Sequence, residues 1–318
     1  MEALDPAPLL SLPGAAFPPG AAAVFYLGAD GLRLRAALFP AADPIGSVVL
    51  SPGRTETIEK YVEVIGELLA RGFTVLTHDW RGQGASGRLL ADPLRGHADG
   101  FDPFIEDYRL LLDLFEHQLP TPRLSLAHSM GACLMLMALA RGETRLAGAV
   151  LSAPMLSVKT GTPPGLARLI AGSLRRAGLG GAYAPGGPTD PFADAFAGER
   201  LTHDRARYQR TRAQILARPD LALGYVTWGW LDSALTATRW LASSDDVRRV
   251  DIPVTLVAAG HDRLVGEDAI RAMAQRLPHG RYVEVPGAFH ELMMETDALR
   301  APFWAAFDAL AASIALQG

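Results

Sequence analysis

Residues 123–132 read RLSLAHSMGA. His128, Ser129, Met130 and Gly131 make a near match to G-x-S-x-G, with Ala127 in place of the first glycine. A serine hydroxyl becomes a useful nucleophile only when a base takes its proton and a third group orients that base. The pentapeptide alone is ambiguous, since an ordinary buried serine at a strand end would read the same. Its setting is more informative. RLSLAH reads as a buried strand and MGACLMLMALARG as a helix, with no room for a loop between them. So sharp a turn pushes the hydroxyl out above the carboxyl ends of the strands, where open α/β sheets bind ligands. Small residues flank such a serine because strand and helix backbones crowd there. Gly131 meets that need, and Ala127 adds only a methyl group.

In a serine enzyme of this layout the chain order is Ser, then Asp or Glu, then His. The loop after VTLVAAG offers Asp262, and the loop after RYVEVPG offers His290. Each lies just beyond a predicted strand, on the same sheet edge as Ser129. Asp262 as a helix cap and His290 as a surface loop histidine are the plainer readings of each residue taken singly. His78 and His97 fall upstream of the elbow, while His117, His203 and His279 fall on predicted helices or a helix end. His128 should pack beside its strand rather than reach the hydroxyl, and His261 is a decoy next to the acid. Cys133 lies one helical turn after Ser129 and reads as small apolar packing. The oxyanion needs backbone donors already in place. The expected donors are the N–H of Met130, at a helix N-terminus, and the N–H of Arg54 in LSPGRTE, where Pro52 has none to give and Gly53 permits the turn. A plain β-turn is the alternative for SPGR.

The elements that must position these groups alternate along the chain. A hairpin turning at Ala29-Asp30-Gly31 precedes the strand GSVVLS, the helix YVEVIGELLARG, the strand FTVLTHD and the helix PFIEDYRLLLDLFEHQL. The strand-to-helix elbow and the strand LAGAVLSAP follow. Continuous apolar strands alternating with helices imply a parallel sheet covered on both faces. From about Met155 to Val250 this rhythm fails: glycine–proline stretches and Arg-rich helical patterns replace it. It resumes with IPVTLVAAGHD, EDAIRAMAQRLP, RYVEVPGAFH and a closing helix. The expected organisation is α/β, with core segments at 1–154 and 251–318 and a helical insertion at 155–250.

Composition narrows the function. With 49% hydrophobic and 20% charged residues the chain is an ordinary globular one, and a net charge of −4 gives no global attraction to nucleic acid. A single cysteine rules out an internal disulfide and a thiolate metal cage, and fits a cytoplasmic setting. MEALDPAPLLSLPGAAFPPG lacks a basic start and is broken by prolines, unlike a secretory signal. No uncharged apolar run reaches the ~18 residues of a spanning helix. Lysine occurs only at Lys60 and Lys159, which we read as the mark of a GC-rich genome.

SPGRTETIEKYVEVIGELLARGF, DWRGQGASGRLLADPLRGHADGF, AHSMGA, GHDRLV and FHELMMET together resemble the α/β-hydrolase superfamily, from about Val48 to the C-terminus. Within it the chain resembles bacterial lysophospholipases and monoacylglycerol lipases, and RGQGASGRLLADPLRGH looks closest to the lysophospholipase branch. Monoacylglycerol lipases usually carry His-Gly where this chain has Pro52-Gly53. The resemblance implies an α/β-hydrolase fold, Ser129, Asp262 and His290 as nucleophile, acid and base, a glycerolipid substrate with one acyl chain, and no cofactor or metal. A monoacylglycerol lipase or broad carboxylesterase with the same residues stays open, as does amide cleavage or a silent lipid- or partner-binding protein.

In this superfamily an insertion such as 155–250 folds as a cap. Between Met155 and Leu241 eleven Lys and Arg face six Asp and Glu, an excess of five positive charges in a protein of net charge −4. In GLARLIAGSLRRAGLGG, Leu166, Leu169, Ile170 and Leu174 recur at helical spacing beside Arg168, Arg175 and Arg176. Such a helix could rest on an anionic membrane, making the protein peripheral at its inner face, or could simply pack its leucines on the body. GYVTWGWL could line an acyl-chain tunnel.

Overall fold

A hairpin followed by one buried strand after another builds a single sheet in the computed structural model, which describes residues 4–187, 189–193, 196 and 201–316. The strands are β1 (Asp5–Pro6), β2 (Ala22–Leu27), β3 (Arg33–Phe39), β4 (Gly46–Ser51), β5 (Phe73–Asp79), β6 (Arg123–His128), β7 (Gly148–Ser152), β8 (Val254–Ala259) and β9 (Gly280–Val285). They lie in the order β1-β2-β3-β5-β4-β6-β7-β8-β9. The pairs from β1 to β3, and β3 with β5, are antiparallel; every later pair is parallel. The two-residue β1 carries no periodic signal and pairs in register with Val24 and Phe25 of β2.

The central strands bury both faces, which is why their sequences are apolar without a break. Alternate side chains nevertheless go to different layers. Val48, Leu50, Val75, Val150 and Val257 pack under α1 (Val62–Ala70) and α8 (Asp297–Ala315). Val49, Leu76, Leu151 and Leu256 pack under α2 (Asp102–Phe115), α3 (Ser129–Ala140) and α7 (Glu267–Arg276). The helix α3 is buried all round, from Met130 to Ala140, so it has no amphipathic stripe. Each of its large apolar side chains contributes roughly 1.5–3 kcal/mol of transfer free energy. That fixes the start of α3 in a rigid setting, with Ser129 half-buried at its first position. A mostly parallel sheet with helices on both faces and this strand order is the α/β-hydrolase fold.

Between β7 and β8 the chain adds no strand to the sheet among the described residues. It forms α4 (Pro164–Leu174), α5 (Arg205–Ala217) and α6 (Trp228–Ser243) instead. The packing of α4 departs from the usual rule. It buries Ala167, Ala171 and Gly172, and leaves Leu166, Leu169 and Ile170 at 48%, 63% and 39% exposure. A Cβ on Gly172 would stand 3.2 Å from the Asp232 carboxylate on α6, so small residues let the two helices approach closely. The leucines are therefore not what attaches this helix to the body. No helix among the described residues is long and apolar enough to cross a membrane.

Candidate active site

The elbow forms where β6 runs directly into α3. Ser129 has φ of +50°, a conformation that costs a non-glycine residue on the order of 1–3 kcal/mol and persists only where packing imposes it. Gly131 is the residue that permits the geometry, since a Cβ there would meet the Pro52 carbonyl oxygen at 2.3 Å. Ala127, opposite Ser51 in the sheet register, fits wholly buried, so the missing elbow glycine leaves the turn intact. Met155 N–H donates to the Ser129 carbonyl at 3.0 Å, tying the loop after β7 to the elbow.

His290 and Asp262 arrive from the loops after β9 and β8. Ser129 Oγ lies 2.8 Å from His290 Nε2, and His290 Nδ1 lies 2.6 Å from Asp262 Oδ2. Asp262 Oδ1 accepts from the N–H groups of Leu264 and Val265 at 2.8 and 3.0 Å. Burial alone would raise the Asp262 carboxyl. The hydrogen bond and charge of His290, with the two backbone donors, outweigh it and hold the acid below the ordinary carboxylate range. An ionised carboxylate only accepts, so Nδ1 carries the imidazole proton and Nε2 is free to accept from the serine. Asp262 thus also caps its own loop, and the plain reading and the chemical one coincide. Such a chain can transfer the serine proton to imidazole as the hydroxyl attacks an acyl carbon.

The remaining histidines stay apart from this chain. His128 Nδ1 faces the Ser152 carbonyl at 3.2 Å, and its ring lies 4.9 Å from the His290 ring without reaching the hydroxyl. His261 is exposed. Cys133 is buried in the core, and burial pushes its thiol up to about 12.

The loop after β4 is fixed at each end of its turn. Trp80 Nε1 donates to the Pro52 carbonyl at 2.7 Å, and Gln83 Nε2 donates to the Gly53 carbonyl at 2.8 Å. Gly53 N–H donates to the Glu56 carboxylate. The N–H of Arg54 has no such partner among the described residues, and the N–H of Met130 lies in the first turn of α3, where no intrahelical acceptor exists. These are the two N–H groups that the sequence reading expects to face an oxyanion.

Sequence reasoning missed the ionic cluster behind these groups. Lys60 Nζ lies 2.8 Å from Glu56 and 2.5 Å from Glu291, while the Tyr61 hydroxyl donates to Glu56 at 2.5 Å. Burial opposes the Lys60 charge, but Glu291 and Glu56 together hold its ammonium above the ordinary lysine value. Burial would raise Glu56, yet Lys60, His128 and Tyr61 bring it down to about 2. Glu291 goes the other way, because burial exceeds the effect of Lys60. The cluster joins the loop after β4, through Glu56, to the residue after His290. A signal was present: both lysines of this arginine-rich chain sit at the site, Lys60 here and Lys159 with its ammonium 2.7 Å from the Asp262 carbonyl. Genome composition does not explain that placement.

Ser129 opens into a cavity of about 540 Å³, a size suited to a small-molecule ligand. Met155, Val226, Trp228, Trp230 and Leu231 supply its apolar wall, so GYVTWGWL does line it.

A family model described as serine aminopeptidase, S33, matches residues 42–297. Lysophospholipase L2 of Escherichia coli (strain K12) is 33% identical over 290 residues, 86% of this chain and 83% of that one. Probable lysophospholipase L2 of Haemophilus influenzae is 28% identical over 262 residues, 80% and 79% of the two chains. Among solved structures, a soluble variant of the monoglyceride lipase of Saccharomyces cerevisiae aligns with a TM-score of 0.70 at 18% identity, covering 92% of this chain and 96% of that one. With its family model spanning most of its length and an elbow serine in the matching fold, the chain belongs to the serine aminopeptidase S33 family of α/β-hydrolases.

Proposed function

We propose that the protein is a serine esterase that cleaves the carboxylic ester of a lysophospholipid. The observation that carries this reading is the hydrogen-bonded chain Ser129–His290–Asp262 at the floor of an apolar cavity. His290 Nε2 takes the hydroxyl proton as Ser129 Oγ attacks the acyl carbon. The N–H groups of Arg54 and Met130 receive the oxyanion, each supplying about 2.7–4 kcal/mol of transition-state stabilisation. His290 gives its proton to the departing glycerol oxygen, leaving an acyl-serine and a free glycerophospho-alcohol. Water, deprotonated by the same histidine, releases the fatty acid. Asp262 keeps the imidazole tautomer and stabilises the imidazolium. The head-group part of the reading leans on the named activity of the bacterial relatives and on Pro52-Gly53 in the oxyanion loop. The family description points to peptides, but the apolar wall suits an acyl chain better than a polypeptide.

Residues 155–250 act as a cap in this reading, and α4 is its contact with the membrane at the cytoplasmic side. Leu166, Leu169 and Ile170 are exposed, and Ile170 also lines the cavity, so the apolar surface runs from solvent to the mouth. The test is fatty-acid release from lysophosphatidylcholine and from monoacylglycerol in parallel, with Ser129→Ala as control. Faster release from the lysophospholipid, lost in the variant, supports the proposal. Preference for monoacylglycerol moves the substrate, and activity retained without the hydroxyl overturns the mechanism.

A further inference from the structure

Most deeply buried arginines here have an anionic partner. Arg35 pairs with Glu59 and Asp79, Arg81 with Asp30 and Asp107, and Arg300 with Glu63 and Glu67. Arg88 has no carboxylate, but its guanidinium is spent on the carbonyls of Gly84, Ser86, Pro93, Asp220 and Ala222. Arg54 is different. Its side chain lines the cavity that holds Ser129, and its one side-chain hydrogen bond runs from Nη1 to the Gly224 carbonyl at 3.0 Å. A guanidinium has five N–H donors, so four lack a partner among the described residues. Burial with no neighbouring carboxylate lowers its ordinary value to about 10.

The group is nonetheless held firmly. Its carbon lies 5.5 Å from the Trp230 ring centroid and 5.9 Å from that of Tyr225, within cation–π range. Trp230 Nε1 in turn approaches Met130 Sδ at 3.4 Å, so one indole separates the guanidinium from the residue after the nucleophile. The other charges on the wall are engaged: Glu56 and Glu291 share Lys60, and Lys159 is tied to the main chain of Asp262. A preorganised, uncompensated guanidinium beside an ester-cleaving centre is suited to an anion with several acceptor oxygens. In a lysophospholipid the phosphodiester follows the scissile ester after only the glycerol carbons and their bridging oxygens.

We infer that the Arg54 side chain is the receptor for the head-group phosphodiester and sets the preference for lysophospholipids over neutral monoacylglycerols. The inference rests on the substrate reading above. It gives Arg54 two separate duties, its backbone N–H toward the oxyanion and its guanidinium toward the phosphate. Side-chain substitution removes the second directly, and any change it passes to the first is shared by both substrates and cancels in their ratio.

The test compares kcat/KM on 1-acyl-lysophosphatidylcholine and on 1-monoacylglycerol of the same chain length, for the unaltered enzyme, Arg54→Met, Arg54→Gln and Arg54→Lys. It also measures inhibition of p-nitrophenyl butyrate hydrolysis by glycerophosphocholine. We expect the ratio of the two kcat/KM values to fall at least tenfold in Arg54→Met and Arg54→Gln, and to recover in part in Arg54→Lys. The inhibition constant for glycerophosphocholine should rise at least tenfold alongside. An equal fall on both substrates with inhibition intact would make Arg54 a support of the oxyanion loop and overturn the inference. Lysophospholipid cleavage whose ratio and inhibition ignore Arg54 would overturn it while leaving the substrate reading in place. An enzyme inactive on lysophosphatidylcholine, yet inhibited by glycerophosphocholine only when Arg54 is present, would sink the substrate reading and uphold the anion site.

Discussion

The floor and the roof of the cavity are held by different physics. On the floor, Ser129, Asp262 and His290 stand at strand ends, backed by buried ion pairs such as Lys60 with Glu56 and Glu291. On the roof, α4 meets α6 through small residues, and its charges pair at the surface, as Arg175 does with Asp99 and Asp232. A floor built on buried charges fixes positions at high cost if disturbed. A helix such as α4, joined to its neighbour by small residues and wet ion pairs, loses less when its position changes.

The largest effect should come from the floor's central atom. Ser129→Ala should lower kcat on a short-chain ester by on the order of 10⁴-fold or more, the loss seen when a nucleophile acting in concert with its base is removed. The thermal midpoint should stay close to that of the unaltered protein, because the substitution deletes one hydroxyl. A large drop in midpoint would mean that the Ser129 hydroxyl supports the elbow itself.

Next comes the cluster behind it. Lys60→Met would leave Glu56 and Glu291 facing each other in a buried site. Removing one partner of a buried ion pair costs about 3–5 kcal/mol, against under about 1 kcal/mol for an exposed pair. Urea unfolding of Lys60→Met and of Arg175→Ala therefore measures the contrast directly, since the Arg175 side chain is 40% exposed and that of Lys60 5%. Equal losses would erase the distinction between floor and roof.

The floor should also carry a signature in acid. Burial lowers His78 from 6.5 to about 3 and, with a smaller opposing pull from Glu56, lowers His128 from 6.5 to about 4. Both stay neutral in the folded protein at pH values where the unfolded chain takes up protons. Their contribution is thus complete above pH 6.5 and falls as pH drops toward the folded values. From pH 7 to pH 5 each should remove about 2 kcal/mol. His78 hydrogen-bonds Ser51 Oγ at 3.2 Å and packs edge-on against Trp80 at 4.3 Å; His78→Gln removes the titrating group, so it should flatten the slope of stability against pH over this window whatever it costs in packing. A slope that ignores the substitution would take His78 out of the account.

The two regions also differed in how much the sequence disclosed. The floor is written in chemistry: a Ser, an Asp and a His, each just past a predicted strand, can be found by order and spacing. Even so, Lys60, Glu56 and Glu291 escaped, because a buried charge looks like a surface charge until its partners are known. The period of Ile58–Val62 carried no sign that Glu59 and Lys60 would be enclosed. The roof is harder for a physical reason. In α4 the helical spacing of Leu166, Leu169 and Ile170 was legible, but spacing marks an apolar face without saying what covers it. Nothing local told that Ala167, Ala171 and Gly172 would form the joint, since close helix approach depends on where α6 stands. The terminal helix shows a milder case: it starts at Asp297, with Pro302 inside it. Its N-terminal turn is fixed by bonds from Leu299 and Arg300 to the Thr296 carbonyl rather than by the proline.

The smallest expected effect falls on that exposed face, and it separates the two explanations of the leucines. If α4 merely tolerates exposure, Leu169→Ser should change nothing. If α4 meets a lipid surface, stability should stay within about 0.5 kcal/mol, as for surface substitutions generally, while binding to vesicles containing anionic lipid weakens. Arg168 and Arg176 near the same surface add an electrostatic part, so raising the salt concentration should weaken vesicle binding as well. A co-sedimentation series with neutral and anionic vesicles resolves both. Loss of stability in Leu169→Ser would show that the roof depends on its leucines after all, and the contrast with the floor would have to be drawn elsewhere. Unaltered vesicle binding would leave the exposed face without a lipid partner.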